Sequence, residues 1–235
     1  MADQVSTIGF DADDTLWHNE RVFRLTQDHF ADLLAEFAAP DHLSDRLLAA
    51  ERRNLVRYGY GVKGFVLSMI ETAIEVTDAT VPATVIQDLI AAGQEMLAHP
   101  IELLPHARAA VEQAAGQYQL VLITKGDLLD QERKLAQSGL GDLFDHVEIV
   151  SEKTAQTYHD IFARHGGGAA QALMVGNSMR SDIVPMIDAG GWGVHVPHDL
   201  LWDLEHAPAP TDSPRYHEIA NLGQLPDLLA QITDS

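Results

Sequence analysis

Short apolar segments alternate with longer amphipathic segments over much of this chain. The strand-like segments are residues 5–10, 118–123, 146–150, 172–175 and 192–196. The helix-like segments between the later strands are residues 107–115, 128–137 and 157–164. Strands that alternate with helices are typical of a parallel sheet covered by helices on both faces. The pattern therefore predicts an α/β fold with a Rossmann-like core of three layers, α/β/α, followed by a surface loop at 207–214 and a last helix at 222–232.

The long region between the first strand and the second follows a helical period instead. Apolar residues share one helical face in two stretches: Phe23, Phe30, Leu33, Leu34 and Phe37, and then Phe65, Val66, Met69, Ile70, Ala73 and Ile74. Two more amphipathic stretches begin near Asp41 and Pro82, and both residue types favour helix starts. We therefore predict an inserted all-helical domain at residues 18–102, with an α/β core formed by residues 1–17 and 103–235.

The composition excludes several classes of protein. The chain has no cysteine, so it has no disulfide, no thiolate nucleophile and no cysteine-ligated zinc. Its 15 basic and 35 acidic residues give a net charge of -20, which repels nucleic acid and anionic membranes. No segment approaches the roughly 20 apolar residues that span a bilayer, and no basic secretory lead is present. We expect a globular, cytoplasmic protein with no nucleic-acid or membrane partner.

The twelve histidines of the chain do not form a recognisable zinc motif. No HExxH pair is present. His195 and His198 lie near the end of a predicted strand, and the sequence suggests no third ligand for them. We therefore expect no zinc site.

Two acids stand directly after the first apolar segment, in the run Asp11-Ala12-Asp13-Asp14-Thr15. If extended geometry continues, Asp11 and Asp13 point the same way. Two neighbouring carboxylates attract a divalent cation, and they divide naturally into a nucleophile that stays anionic and a partner that carries a proton. An acidic turn that caps the next helix is the alternative interpretation.

The next strand-like segments end in groups that suit a phosphate. Thr124 and Lys125 close the second core strand, where a hydroxyl and free backbone N–H groups can hold phosphate oxygens. Lys153 follows the third core strand, and its ammonium there could offset the charge of a nucleophile and a phosphoryl group. A simple strand end and a solvated surface lysine are the alternatives.

An acid also follows the fourth core strand. Asp182 lies where the next helix is expected to begin, so it could cap that helix. It could equally complete a magnesium site, since Mg²⁺ takes one or two protein carboxylates and keeps several waters.

These four motifs, in this order and with a helical insertion after the first, resemble the haloacid dehalogenase superfamily. The resemblance covers nearly the whole chain. It implies that Asp11 is the nucleophile, Asp13 the general acid and base, and Lys153 the neutralising cation. It also implies that Thr124 binds phosphate and that Asp11, Asp182 and the backbone carbonyl of Asp13 hold Mg²⁺.

The acid at Asp13 discriminates within this superfamily. Members that release halide lack it, because halide needs no proton, whereas phosphatases use it to protonate the departing alkoxide. The resemblance thus implies a magnesium-dependent phosphomonoester hydrolase that forms an aspartyl-phosphate on Asp11. In one departure, Asn177 stands where many relatives have Asp, and its amide oxygen remains a further candidate metal ligand.

The helical insertion resembles a cap that closes over the substrate in this superfamily. Its stretch Tyr58-Gly59-Tyr60-Gly61-Val62-Lys63 makes Tyr58, Tyr60 and Lys63 candidates for contact with the leaving group. The plainer interpretation is a turn between two helices. The implied partner is a small phosphorylated metabolite, and the sequence leaves a homodimer open.

Three other activities remain open at this level. A phosphomutase has the same fold and returns the phosphoryl group to a sugar. A non-catalytic relative that binds a metal or ligand is made conceivable by Asn177. A dehalogenase is the third alternative, and Asp13 argues against it.

Overall fold

The computed structural model describes residues 4–233 of the chain. Its strands are β1 (Thr7–Phe10), β2 (Gln119–Lys125), β3 (His146–Val150), β4 (Ala172–Gly176), β5 (Trp192–His195) and β6 (Tyr216–Glu218). Its first helices are α1 (Glu20–Leu33), α2 (Pro40–Tyr58), α3 (Val62–Val76) and α4 (Ala83–Ala98). Its later helices are α5 (Ala107–Ala115), α6 (Leu128–Ser138), α7 (Ala155–Arg164), α8 (Val184–Asp188) and α9 (Leu225–Thr233).

The six strands form one sheet in the order β3-β2-β1-β4-β5-β6, and all neighbouring strands are parallel. This confirms the predicted α/β class and its parallel core. Strand β1 lies between β2 and β4, so their carboxyl ends meet at one edge of the sheet. Motifs that are far apart in the sequence are therefore brought to the same edge.

The sixth strand was not predicted. Tyr216–Glu218 is only three residues long, and none of its side chains is fully buried. It pairs with β5 at the edge of the sheet, next to a backbone hydrogen bond from Gly193 N to Arg215 O. So short a segment has no hydrophobic alternation, and its pairing depends on a neighbour that is distant in the sequence.

Alternate residues of the central strands pack on opposite faces of the sheet. Ile8 and Phe10 lie in a buried cluster with residues of α5 and α9. Val121 and Met174 point to the other face, where they join a second cluster with residues of α7. The period-2 alternation of a strand thus builds both interfaces of the three-layer core. Among residues 4–233, no helix has the length and apolar character that a membrane span requires.

The contacts divide the chain into two compact units. The boundaries fall between Glu20 and Arg21 and between Pro100 and Ile101. The segment Gly126–Asp130, which includes the start of α6, groups with α1 to α4. We call the two units the core unit and the helical unit. The helical unit contains α1 to α4, whose inward faces form a hydrophobic cluster of their own. The sequence placed the boundaries at 17/18 and 102/103 and did not anticipate that a segment after β2 would join the helices.

The sheet leaves no space for a side chain at Gly9 of β1. A Cβ there would lie 2.9 Å from Met174 Sδ and 3.0 Å from both Ile123 Cδ1 and Phe162 Cζ. We expect Gly9→Ala to lower the free energy of unfolding by about 1–3 kcal/mol, because the core must shift to admit a methyl group. Urea denaturation measures this change.

Gly116 provides the matched control for that substitution. It is exposed, its φ is -75°, and a Cβ would meet only Gln113 O, at 3.8 Å. Gly116→Ala should therefore be neutral or stabilising by about 0.5 kcal/mol. Equal unfolding free energies for the two variants would contradict the close packing at Gly9.

Candidate active site

Three buried charges meet at the carboxyl edge of the sheet. Lys153 Nζ lies 2.5 Å from Asp11 Oδ1 and 2.7 Å from Asp182 Oδ1. Asp11 is held at the end of β1 by a backbone hydrogen bond of 2.9 Å from its N–H to Val175 O. The side chains of Lys153 and Asp182 are each only 1% exposed. The structure thus brings together three residues that the sequence singled out separately.

Burial and the neighbouring acids disfavour the ionised form of Asp11. Burial raises the pKa of Asp11 to about 7, Lys153 opposes the rise, and Asp182 and Asp13 add to it. Burial by itself lowers the pKa of Lys153, but Asp11 and Asp182 outweigh that effect and raise it above its ordinary value. One ammonium thus faces two carboxyl groups, so ionisation of both leaves a net negative charge buried.

Thr15 links the cluster to the loop after β4. Its hydroxyl donates to Asp11 Oδ2 over 2.8 Å and accepts from the backbone N–H of Asn177 over 3.1 Å. The same oxygen lies 3.3 Å from Asn177 Oδ1. The Asn177 amide therefore lies beside Thr15, which itself bonds to the Asp11 carboxylate. The sequence motif contained Thr15, but this bridging contact depends on the loop after β4.

The turn after β4 aims Asp182 at Lys153. The π-helical turn Met179–Ile183 carries Asp182, and its Oδ2 accepts a hydrogen bond of 2.9 Å from Ser178 N. Ser178, not Asp182, is the capping residue, because its side chain accepts from Ser181 N. A Cβ at Gly176 would lie 2.3 Å from the Asp182 carboxyl, so only glycine allows this close approach.

Asp13 has a separate set of partners. Its Oδ1 accepts from Trp17 Nε1 over 2.7 Å, and its Oδ2 accepts from Gln131 Nε2 over 2.9 Å. Lys134 Nζ lies 3.0 Å from both oxygens. The sequence analysis did not identify Gln131 and Lys134. Their spacing of three residues on α6 puts them on one helical face. Nothing in the sequence indicates that this face contacts Asp13.

The predicted phosphate-binding pair lies at the end of β2. Thr124 is buried, and its Oγ1 lies 3.3 Å from Lys125 O. Lys125 Nζ is 2.7 Å from Glu205 Oε1 and 2.8 Å from Ser181 Oγ. Glu205 Oε2 accepts from the hydroxyls of Ser178 and Ser181, each over 2.5 Å. The structure therefore pairs Lys125 with a carboxylate from the loop after β5.

Glu205 was missed because no pattern marks it. It lies in a single 3₁₀ turn, Asp203–Glu205, in a loop with no hydrophobic period. Burial by itself raises the pKa of Glu205, but the charge of Lys125 and three hydrogen bonds outweigh it and hold the pKa below its ordinary value of 4.5. Glu205 is thus a largely buried anion that is paired with Lys125.

The remaining candidates lie in the helical unit. Tyr58 OH donates to Glu71 Oε1 over 3.0 Å. Lys63 is exposed and its Nζ lies 3.3 Å from Asp127 Oδ1, while Tyr60 is half-buried. Contact of these side chains with a substrate stays a prediction.

The core unit offers oxygen ligands that suit a hard divalent cation. Asp11 and Asp182 supply carboxylates, Asp13 a backbone carbonyl and Asn177 an amide oxygen. Mg²⁺ prefers such ligands, and the excess negative charge of the Asp11 cluster favours a cation there. The donor set therefore fits the metal that the sequence suggested.

Comparison with known proteins gives the class of this chain. A family model described as haloacid dehalogenase-like hydrolase matches residues 5–190. A haloacid dehalogenase-like family hydrolase from Xanthomonas campestris is 41% identical, with a TM-score of 0.88 over 98% of this chain and 92% of that one. The chain therefore belongs to the haloacid dehalogenase-like hydrolase family. A comparison with curated protein sequences found no significant match.

More distant structures share the fold alone. The HAD-hydrolase YfnB from Bacillus subtilis, bound to magnesium, is 17% identical, with a TM-score of 0.68 over 96% of this chain and 99% of that one. L-2-haloacid dehalogenase from Xanthobacter autotrophicus, with chloropropionic acid covalently bound, is 16% identical, with a TM-score of 0.64 over 97% and 99%. Phosphatases and dehalogenases thus both occur among the similar structures.

The pairing of Glu205 with Lys125 should give a measurable dependence of stability on pH. Because the folded-state pKa of Glu205 is lowered, its contribution is fully present above pH 4.5 and is lost as the pH falls through the folded-state value. We expect Glu205→Gln to cost about 3 kcal/mol at pH 7, because it leaves the largely buried Lys125 with only the more distant Glu152 carboxylate, 3.8 Å from its Nζ. Urea unfolding at pH 7 and at lower pH measures both effects.

Glu112→Gln is the control, since Glu112 pairs with Arg108 on the surface. It should change the unfolding free energy by less than about 1 kcal/mol. The assignment of Glu205 as an anion paired with Lys125 fails if the cost of Glu205→Gln does not shrink at low pH.

Proposed function

We propose that the protein is a magnesium-dependent phosphomonoester hydrolase that acts on a small phosphorylated metabolite through an aspartyl-phosphate on Asp11. The observation that carries this choice is the carboxylate of Asp13, two residues after Asp11 at the same end of β1. A halide leaves without a proton, whereas an alkoxide needs one. Asp13 therefore favours phosphoryl transfer over dehalogenation.

The first step is attack of an Asp11 carboxylate oxygen on phosphorus. The new O–P bond forms as the ester O–P bond breaks, and Asp13 gives its proton to the departing alkoxide. To do so, Asp13 exchanges at least one of its present donors, such as Lys134, for the leaving group. Water then attacks the aspartyl-phosphate, Asp13 takes its proton, and phosphate leaves Asp11 free.

Lys153 and the metal would offset the negative charge of Asp11 and of the phosphoryl oxygens in this step. Lys153 remains a cation between the two carboxylates, so it favours the ionised, nucleophilic form of Asp11. Mg²⁺, when bound by Asp11, Asp182 and the Asp13 carbonyl, would supply positive charge for the phosphoryl oxygens. Thr15 orients Asp11 by donating to its Oδ2. Thr124 and Lys125 are the proposed phosphate contacts from β2.

The helical unit is the proposed cap of this enzyme. Lids of this kind exclude water from a reaction and choose the leaving group. Tyr58, Tyr60 and Lys63 are the specificity candidates within it. A cytoplasmic location and a homodimer remain predictions, as does the absence of nucleic-acid and membrane partners.

The decisive experiment screens phosphorylated metabolites and a generic aryl phosphate with Mg²⁺. We expect steady phosphate release without a bisphosphate activator, which excludes a mutase. EDTA should stop turnover, and Asp11→Asn should reduce it at least about a thousandfold, because no nucleophile remains. Asp142→Asn, an exposed acid outside the site, should turn over like the wild type. Absence of turnover on the whole panel would favour the non-catalytic relative instead.

Substitution of Asp13 distinguishes phosphate release from halide release. We expect Asp13→Asn to lower kcat for phosphate release by about a hundredfold to ten-thousandfold, since it removes the proton donor and acceptor. The loss should be smaller for an aryl phosphate, whose leaving group needs less protonation. Halide release from 2-haloacids, if it occurred and survived Asp13→Ala, would establish the dehalogenase alternative.

A further inference from the structure

A second group of possible metal ligands lies in the core unit, apart from the Asp11 cluster. Asp14, His18 and His198 each offer one ligand atom, and these atoms lie within 4.8 Å of one another. Asp14 and His18 belong to the segment after β1, and His198 belongs to the loop after β5. The sequence suggested no third ligand for His195 and His198, and His195 is not a member of this group; Asp14 and His18 lie about 180 residues from His198 along the chain.

Asp14 has hydrogen-bond donors of its own at its carboxylate. Its φ of 61° is left-handed, so the backbone turns sharply between the two consecutive acids. Its Oδ1 accepts from Asn19 N over 2.8 Å and from Glu20 N over 3.1 Å, and its Oδ2 accepts from Glu20 N over 2.9 Å. These bonds hold the carboxylate at the start of α1. A carboxylate can accept about four such contacts, so Oδ2 keeps one position for a cation.

His198 has the orientation of a metal ligand. Its Nδ1 lies 2.8 Å from Leu200 O and 3.2 Å from Leu200 N, and donation to the carbonyl is the shorter contact. In the tautomer that donates to Leu200 O, Nε2 has a lone pair and faces the Asp14 carboxylate, whose Oδ1 lies 3.7 Å away. Two acceptors at this distance do not form a hydrogen bond, but they can share a cation. Metal-bound histidines usually donate their other N–H to a carbonyl or carboxylate in this way.

His18 completes the group. Its ring lies against that of His198, with centroids 5.7 Å apart and planes at 63°. Within residues 4–233, neither ring nitrogen of His18 has a hydrogen-bond partner, so both are available. Ligand atoms around tetrahedral zinc lie roughly 3.3 Å apart, and small side-chain rotations would bring these three together.

We propose that Asp14, His18 and His198 form a binding site for a borderline transition metal of the Zn²⁺ class. Two imidazoles and one carboxylate suit Zn²⁺, Co²⁺ or Cu²⁺ and do not suit Mg²⁺, which prefers oxygen ligands alone. The three residues are separate from Asp11, Lys153 and Asp182. Occupancy would fix the segment after β1 to the loop after β5, and it does not depend on the proposed phosphatase activity.

The test uses metal-free, tag-free full-length protein titrated with Co²⁺ in excess Mg²⁺, which keeps the oxygen ligands of the first site occupied. Visible absorption and atomic analysis should show about one bound Co²⁺ with nitrogen ligands. His18→Ala and His198→Ala should each weaken binding at least about tenfold. His159→Ala is the control, because His159 is exposed and, within residues 4–233, its ring pairs with Asp160 at the surface; it should bind like the wild type.

A Cu²⁺ EPR spectrum of the wild-type protein makes the test independent of how the variants fold. Hyperfine coupling to two imidazole nitrogens supports the site. Coupling to one or none overturns it, and so does an unchanged Co²⁺ affinity in either His18→Ala or His198→Ala. Because the readout is metal binding in Mg²⁺, loss of this site and failure of the phosphatase proposal are distinguishable results.

Discussion

The core unit depends on how one buried ammonium is shared between two carboxylates. Charges taken out of water are costly unless each has a close partner, and Lys153 cannot fully compensate both Asp11 and Asp182. The remaining negative charge raises the pKa of Asp11 and makes the site receptive to a cation. The same imbalance that costs stability therefore gives the cluster an affinity for cations that a fully neutralised cluster would lack.

The parallel sheet brings these three charged side chains together. The side chains come from the ends of β1 and β4 and from the segment after β3, which follow one another only through long crossovers. Hydrophobic contacts on both faces hold these strands in register, and that burial offsets the cost of the charges at the edge. The polar site is therefore supported by an apolar framework that takes no part in its chemistry.

The sequence predicted most of this framework, since period-2 and period-3.6 patterns report burial directly. The bounds of α5 were predicted without error, and five of the six strands were located. The charges at strand ends were also visible, because short motifs carry them. Lys134 and Glu205 were not, because each acts through a partner more than 75 residues away and lies in an element whose local pattern says nothing about that partner. The proximity of Asp14 and His18 to His198 was hidden for the same reason.

The loop after β5 supplies two polar side chains to the carboxyl edge of the sheet. It brings Glu205 to Lys125 and His198 to Asp14, yet neither residue lies in a strand or a long helix. Loops of this kind tolerate insertion and deletion far better than strands do. Evolution could therefore alter the charge and the ligands at this edge by changing the length of one loop, while every strand and the whole hydrophobic core stayed as they are.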